Sequence, residues 1–227
     1  TFAGTGITSF RMPSNLQYIA PETFRNCEQL KTFYIGKAFR GKINYGEEGD
    51  PDTLFLYYAP IRLIQIDKEN TSYQLQNEIL YTRDGHILCQ ALKNDNADSQ
   101  LTIPSCVTEI ADGAFYRNSE FGAIEVKGSL ERIGISAFAC ADVGSFYVKG
   151  GVNYLDRGSF YQSAISEWRC HGGVKKYEKS AFQDVDATNG YAIDMNAITK
   201  LYQELLYVNA TTDLSYWVKT IWNWIIM

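Results

Sequence analysis

Cys170 followed directly by His171 is the pair in this chain that most invites a nucleophilic reading, because a thiolate needs a base or cation beside it at neutral pH. The other histidine, His86, has no cysteine or carboxylate at metal-ligand spacing. Five cysteines, Cys27, Cys89, Cys106, Cys140 and Cys170, form an odd set without a CxxC, which fits neither a disulfide framework nor a zinc site. Glu47, Glu48, Asp50 and Asp52 could supply oxygen to calcium but read as a solvated loop. Asn96 and Asp98 alternate without the glycine and terminal glutamate of an EF-hand loop. No GxGxxG or phosphate loop is present. Asn70 and Asn209 open N-x-S/T sequons, which carry meaning only in a eukaryotic secretory setting. The expectation is therefore a non-enzymatic protein with no catalytic residue, cofactor or metal.

The bulk properties narrow the partners. The chain has 227 residues and a net charge of −5, which does not suggest nucleic acid. No apolar run approaches the ~18 residues of a membrane span, and the most apolar stretch, 217–227, carries Lys219. No signal peptide is visible, and the chain opens mid-pattern at Thr1, which reads as a mature or trimmed protein.

What must position any site is a repeat. Phe2, Phe24, Phe115, Phe138, Phe160 and Phe182 recur about every 22 residues, with one gap of about four periods. Five residues before each Phe from Phe24 onward is Ile19, Ile110, Ile133, Leu155 or Tyr177, and one before is always small. After each Phe comes an apolar pair two residues apart, such as Phe33 and Ile35 or Phe146 and Val148, which is strand periodicity. One such strand cannot bury its apolar face alone, but stacked copies can. The chain is expected to coil into a mainly β solenoid with one parallel strand per turn, short helical or irregular turns, and Phe at the centre. Cys170 then falls where other copies carry Met12, Ile35, Val126 and Val148, and so reads as core.

The stretch "SQLTIPSCVTEIADGAFYRN" at 99–118 resembles the BspA-type leucine-rich repeat, with a strand ending Ile-Pro, an aliphatic-x-x-Ile turn, then Ala-Phe. The resemblance covers roughly residues 1–193. It implies a leucine-rich-repeat-like parallel ladder and a cell-surface or secreted, extracellular protein engaged in adhesion or host interaction. It also implies that Cys27 and Cys140 fill turns, and that 67–98 is a hairpin insertion with an Asn- and Tyr-containing loop. Asp84-Gly85 between "EILYT" and "HILCQAL" signals that hairpin independently. Residues 36–63 read as a degenerate repeat with an acidic loop, anchored on Phe55 with Ile64 and Ile66 as its strand. Residues 194–227 read as a small α-helical C-terminal cap, from stripes such as Ile198, Leu201, Leu205 and Val208.

Side chains alternate along a strand, so the residues that vary face outward. Those between the inward pair are Arg11, Tyr34, Gln65, Glu125, Tyr147 and Arg169. Those after it include Lys127, Lys149 and His171, a short basic row that Glu125 could neutralise. These nine are the candidate ligand-binding face. The expected partner is a protein on a host or cell surface. A glycan, or a structural place in a larger surface assembly, is the alternative, with an enzyme accessory role behind both.

Overall fold

The computed structural model describes residues 1–46, 53–56, 59–92, 99–118 and 121–182. Among them there is no helix and there are sixteen strands. In chain order these are β1 (Ser9–Arg11), β2 (Thr32–Ile35), β3 (Lys42–Ile43), β4 (Thr53–Leu54), β5 (Leu63–Ile66), β6 (Tyr73–Gln76), β7 (Ile79–Thr82), β8 (Ile87–Ala91), β9 (Ser99–Ile103), β10 (Glu109–Ile110), β11 (Phe121–Val126), β12 (Leu130–Ile133), β13 (Asp142–Val148), β14 (Val152–Leu155), β15 (Ala164–Cys170) and β16 (Val174–Tyr177). The chain is a β-solenoid of parallel strands, as the repeat predicts.

The coils from β8 to β15 carry two strands each rather than the expected one, whereas the matching phrase at 16–19 forms no strand. The apolar pairs two apart build a first sheet, in two blocks ordered β1-β2-β5 and β9-β11-β13-β15. The aliphatic-x-x-Ile phrase, read from sequence as a turn, builds a second sheet ordered β16-β14-β12-β10-β8-β7-β6. Its spacing of three disguised it. The amides of Glu131 and Arg132 both point at the carbonyl of Thr108, and those of Thr108 and Glu109 both point at His86. Such a bulge adds one residue between two inward side chains and converts period two into three.

Between the sheets the aromatic anchors stack. Phe115 and Phe138 lie 4.6 Å apart and 7° from parallel, Phe138 and Phe160 4.9 Å and 3°, Phe160 and Phe182 5.2 Å and 5°. Phe115, Phe138 and Phe160 are buried, and each contributes about 2–3 kcal/mol by leaving water. The turn around each Phe forms a further ladder. The residue two after Phe takes a left-handed conformation in Gly4, Asn26, Arg117, Cys140 and Gln162. A non-glycine residue there costs about 1–2 kcal/mol. Partial compensation comes from inter-coil bonds, with the Arg117 amide donating to Ala139 and the Cys140 amide to Tyr161 at 2.9 and 2.8 Å. Cys140 therefore holds a turn, and Cys27 is buried with its thiol donating to the Phe2 carbonyl at 3.0 Å.

The irregular part departs from the sequence reading at its anchor. β5 pairs in register with β2, Ile64 against Phe33 and Ile66 against Ile35, where a strand is expected. Phe55, however, is only half-buried and donates its amide to Pro21. Leu54 and Leu56 are the buried side chains instead, so alternation about a short strand displaced the aromatic from the core. Two buried asparagines replace the missing ladder bonds. Asn44 Nδ2 donates to the Cys89 carbonyl and Gln90 Oε1, and its Oδ1 accepts from the Leu56 amide. Asn70 Nδ2 donates to the Gly36 and Phe39 carbonyls while its Oδ1 accepts from the Ser72 and Tyr73 amides. The Asn70 sequon is thus closed in the folded chain. β7 and β8 pair antiparallel around Asp84-Gly85, and β8 then joins β10 in parallel, so the hairpin is built into the second sheet. The acidic cluster at 47–52, Asn96, Asp98, Asn209 and the 194–227 cap lie outside the described residues.

Candidate functional site

The outward residues of the first sheet fall into register as rows. Arg11, Tyr34 and Gln65 are neighbours on β1, β2 and β5. Thr102, Glu125, Tyr147 and Arg169 are neighbours on β9, β11, β13 and β15. The single ladder expected from the repeat is two, because β5 and β9 belong to separate blocks with the hairpin strands between them in the chain. Parallel strands pair only when consecutive coils bring matching strands together, and β6 to β8 pair within the second sheet.

In the N-terminal block the Arg11 guanidinium carbon lies 3.8 Å from the centre of the Tyr34 ring. The Tyr34 hydroxyl donates to Asp67 Oδ2 at 2.8 Å, and that carboxylate raises the phenol's pKa. Asp67 itself is held below the usual carboxylate range by the Glu69 amide and by Tyr34. Gln65 is exposed beside them.

In the C-terminal block Lys127, Lys149, Arg169 and His171 are all exposed, and Lys127 and Lys149 follow matched strand ends on adjacent coils. The basic row is compensated from within. Glu125 reaches both lysines, Lys127 Nζ as a close ion pair and Lys149 Nζ at 3.3 Å. Its pKa is lowered, first by the hydrogen bond from Lys127. Arg169 pairs with Glu167 on its own strand. Three cations thus meet two carboxylates, a mosaic rather than a polyanion track. Cys170 is buried with its thiol 3.2 Å from the Gly173 carbonyl, which places it in the core. Among the described residues no group of three or more His, Cys, Asp or Glu side chains could hold a metal ion.

The second sheet carries a constellation that sequence reasoning missed. Glu109, Arg132, Tyr154 and Lys176 lie in one row across β10, β12, β14 and β16. Arg132 donates to Glu109 Oε1 at 2.8 Å, Asp112 Oδ1 at 2.5 Å and Asp156 Oδ2 at 2.9 Å. Asp112 Oδ1 also accepts the Ile135 amide at 2.8 Å. A Cβ at Gly134 would sit 2.3 Å from that same oxygen, so only glycine leaves room for it. Beyond this quartet, Tyr154 donates to Glu178 at 2.6 Å and lies under Lys176. Burial raises the pKa of Glu109 and Asp112, because one guanidinium cannot compensate three carboxylates. Burial works against the charge of Arg132 as well, but Asp112 and Glu109 more than offset it. The available signal was positional. All four row residues lie six before their Phe.

Residues 1–45 and 85–189 match the BspA type Leucine rich repeat region, in 6 copies. No curated protein matches the chain. Among solved structures, the pneumococcal vaccine antigen PcpA superposes with a TM-score of 0.55 at 15% identity, over 78% of this chain and 58% of that one. A leucine-rich repeat protein from Eubacterium ventriosum aligns at 16% identity and a TM-score of 0.40, over 81% of this chain and 66% of that one. The chain thus spans less than two thirds of either structure. Among the described residues no helix is long and apolar enough to cross a membrane.

Proposed function

We propose that this chain, which belongs to the BspA-type leucine-rich repeat family, is a non-enzymatic binding module that engages a host or cell-surface protein through the outward face of β11, β13 and β15. The observation carrying the reading is the row Glu125, Tyr147, Arg169 flanked by Lys127 and Lys149, in register and solvent-accessible at strand spacing of ~4.8 Å. Tyrosine and arginine are the residue types that anchor protein interfaces. Because the lysines share Glu125 and Arg169 holds Glu167, the face suits a partner of mixed charge better than a polyanion. A surface or secreted setting fits the family, and the PcpA name, a vaccine antigen, supports it.

The test is an array of host matrix proteins probed with the whole chain, repeated with Lys149→Glu and Arg169→Glu. A hit weakened about tenfold or more by either change supports the face. A hit bound equally well by both variants would overturn the site assignment while leaving the fold untouched.

A further inference from the structure

The N-terminal block holds a second feature of different chemistry. Arg11, Met12, Pro13, Ser14, Tyr34 and Asp67 line one open depression. Arg11 and Asp67 both border it, and each is held by Tyr34, Arg11 over the ring and Asp67 at the hydroxyl. Arg11 is held by Tyr34, over its ring and within hydrogen-bond reach of its hydroxyl, and a guanidinium has five N–H donors, so it keeps others to offer. Asp67 accepts from Tyr34 through Oδ2 and from the Glu69 amide through Oδ1, and a carboxylate retains further lone pairs. Pro13 and Ser14 are exposed, so the rim offers an apolar ring and a hydroxyl.

A guanidinium and a carboxylate bordering one depression disfavour a ligand that carries charge of one sign only. An anion would meet Asp67, and a cation would meet Arg11. A neutral ligand rich in hydroxyls meets both as partners, because each hydroxyl can accept from Arg11 and donate to Asp67. Its C–H face can rest on Pro13. A peptide backbone also carries donors and acceptors, but it matches a strand edge, whereas the polar groups here are side chains.

We infer that the depression bordered by Arg11, Ser14, Tyr34 and Asp67 is a binding site for a neutral saccharide. It does not depend on the protein-binding face of β11, β13 and β15, and its site residues differ from that face throughout. Binding is weak per site, as befits a shallow surface, and insensitive to salt because no net charge is neutralised.

The experiment is an amide and side-chain NMR titration of the whole chain with methyl glucoside, galactoside, mannoside and N-acetylglucosaminide at millimolar concentration, with methyl glucuronide and a neutral tripeptide as comparators. At least one neutral glycoside is expected to shift Arg11, Ser14 and Tyr34 resonances equally at low and high salt. Arg11→Ala and Asp67→Asn are each expected to weaken it about tenfold, and Lys149→Glu to leave it unchanged. The proposal is overturned if no neutral glycoside shifts these residues, if only the glucuronide or the tripeptide does, or if Arg11→Ala binds as well as the parent. The wild-type shift map decides the question even where a variant folds poorly. Failure here leaves the matrix-protein result standing, and loss of that result leaves this one.

Discussion

On the face of β10, β12, β14 and β16, Arg132 sits among three carboxylates that are mostly withdrawn from water, with side-chain exposures of 9–23%. On the face of β11, β13 and β15, Glu125 joins two lysines that are 38% and 48% exposed. Both faces stack charged residues at the same repeat positions on adjacent coils. One spends them bridging coils, so that Glu109, Asp112, Arg132 and Asp156 tie three coils together. The other leaves them where water and a partner can reach them. A repeat therefore yields two ladders of unlike use. The difference comes from depth, since a half-buried ion pair must be satisfied internally and a rim pair need not be.

The sharpest way to break this contrast is to remove the central cation. Arg132→Met leaves three carboxylates without compensation and should cost about 3 kcal/mol in urea unfolding at neutral pH, whereas Lys149→Glu should change stability by less than about 0.5 kcal/mol. Equal losses would mean that the two faces do not differ in kind. A smaller effect follows from Gly134→Ala. Its methyl would enter the space of Asp112 Oδ1 and the Asp112 amide, and the forced shift should cost about 1–3 kcal/mol. A thermal melt unchanged by this substitution would show that the quartet can relax freely.

The smallest effect is a matter of sign. Glu109 and Asp112 are raised by burial, so their contribution favours the fold at acid pH and is lost as pH rises through their folded values. Glu125 is lowered by Lys127, so its contribution is present above its unfolded value and lost as pH falls through the folded one. Carboxyl-carbon NMR should find Glu109 and Asp112 titrating above ordinary carboxylates and Glu125 below them. Shifts of the same sign on both faces would erase the distinction.

Much of this was legible in the letters. The Phe anchors from Phe24 onward and the inward pairs of the first sheet are types that a stacked core requires, and the structure uses them so, while Phe2 at the first coil is 39% exposed. Phe55 misled because spacing alone does not say which neighbour in a short displaced strand turns inward. The outward rows were legible as positions, but their pairing was not. Lys127 and Lys149 read as a basic row that Glu125 could neutralise, and only the structure shows that one carboxylate reaches both. The pairing of Arg132 with Asp112 was not legible, because the two meet only across a coil boundary.

The sequence by itself determined the period, the solenoid and the aromatic spine, since these follow from one cross-section that every coil must fill. Tertiary structure decided that the coils from β8 to β15 carry two strands each, that the first sheet divides at the hairpin, and which charges hold coils together. Those outcomes depend on bulges and on distances between residues about 22 apart in the chain. Local preference carries no information about such distances, and close packing fixes them.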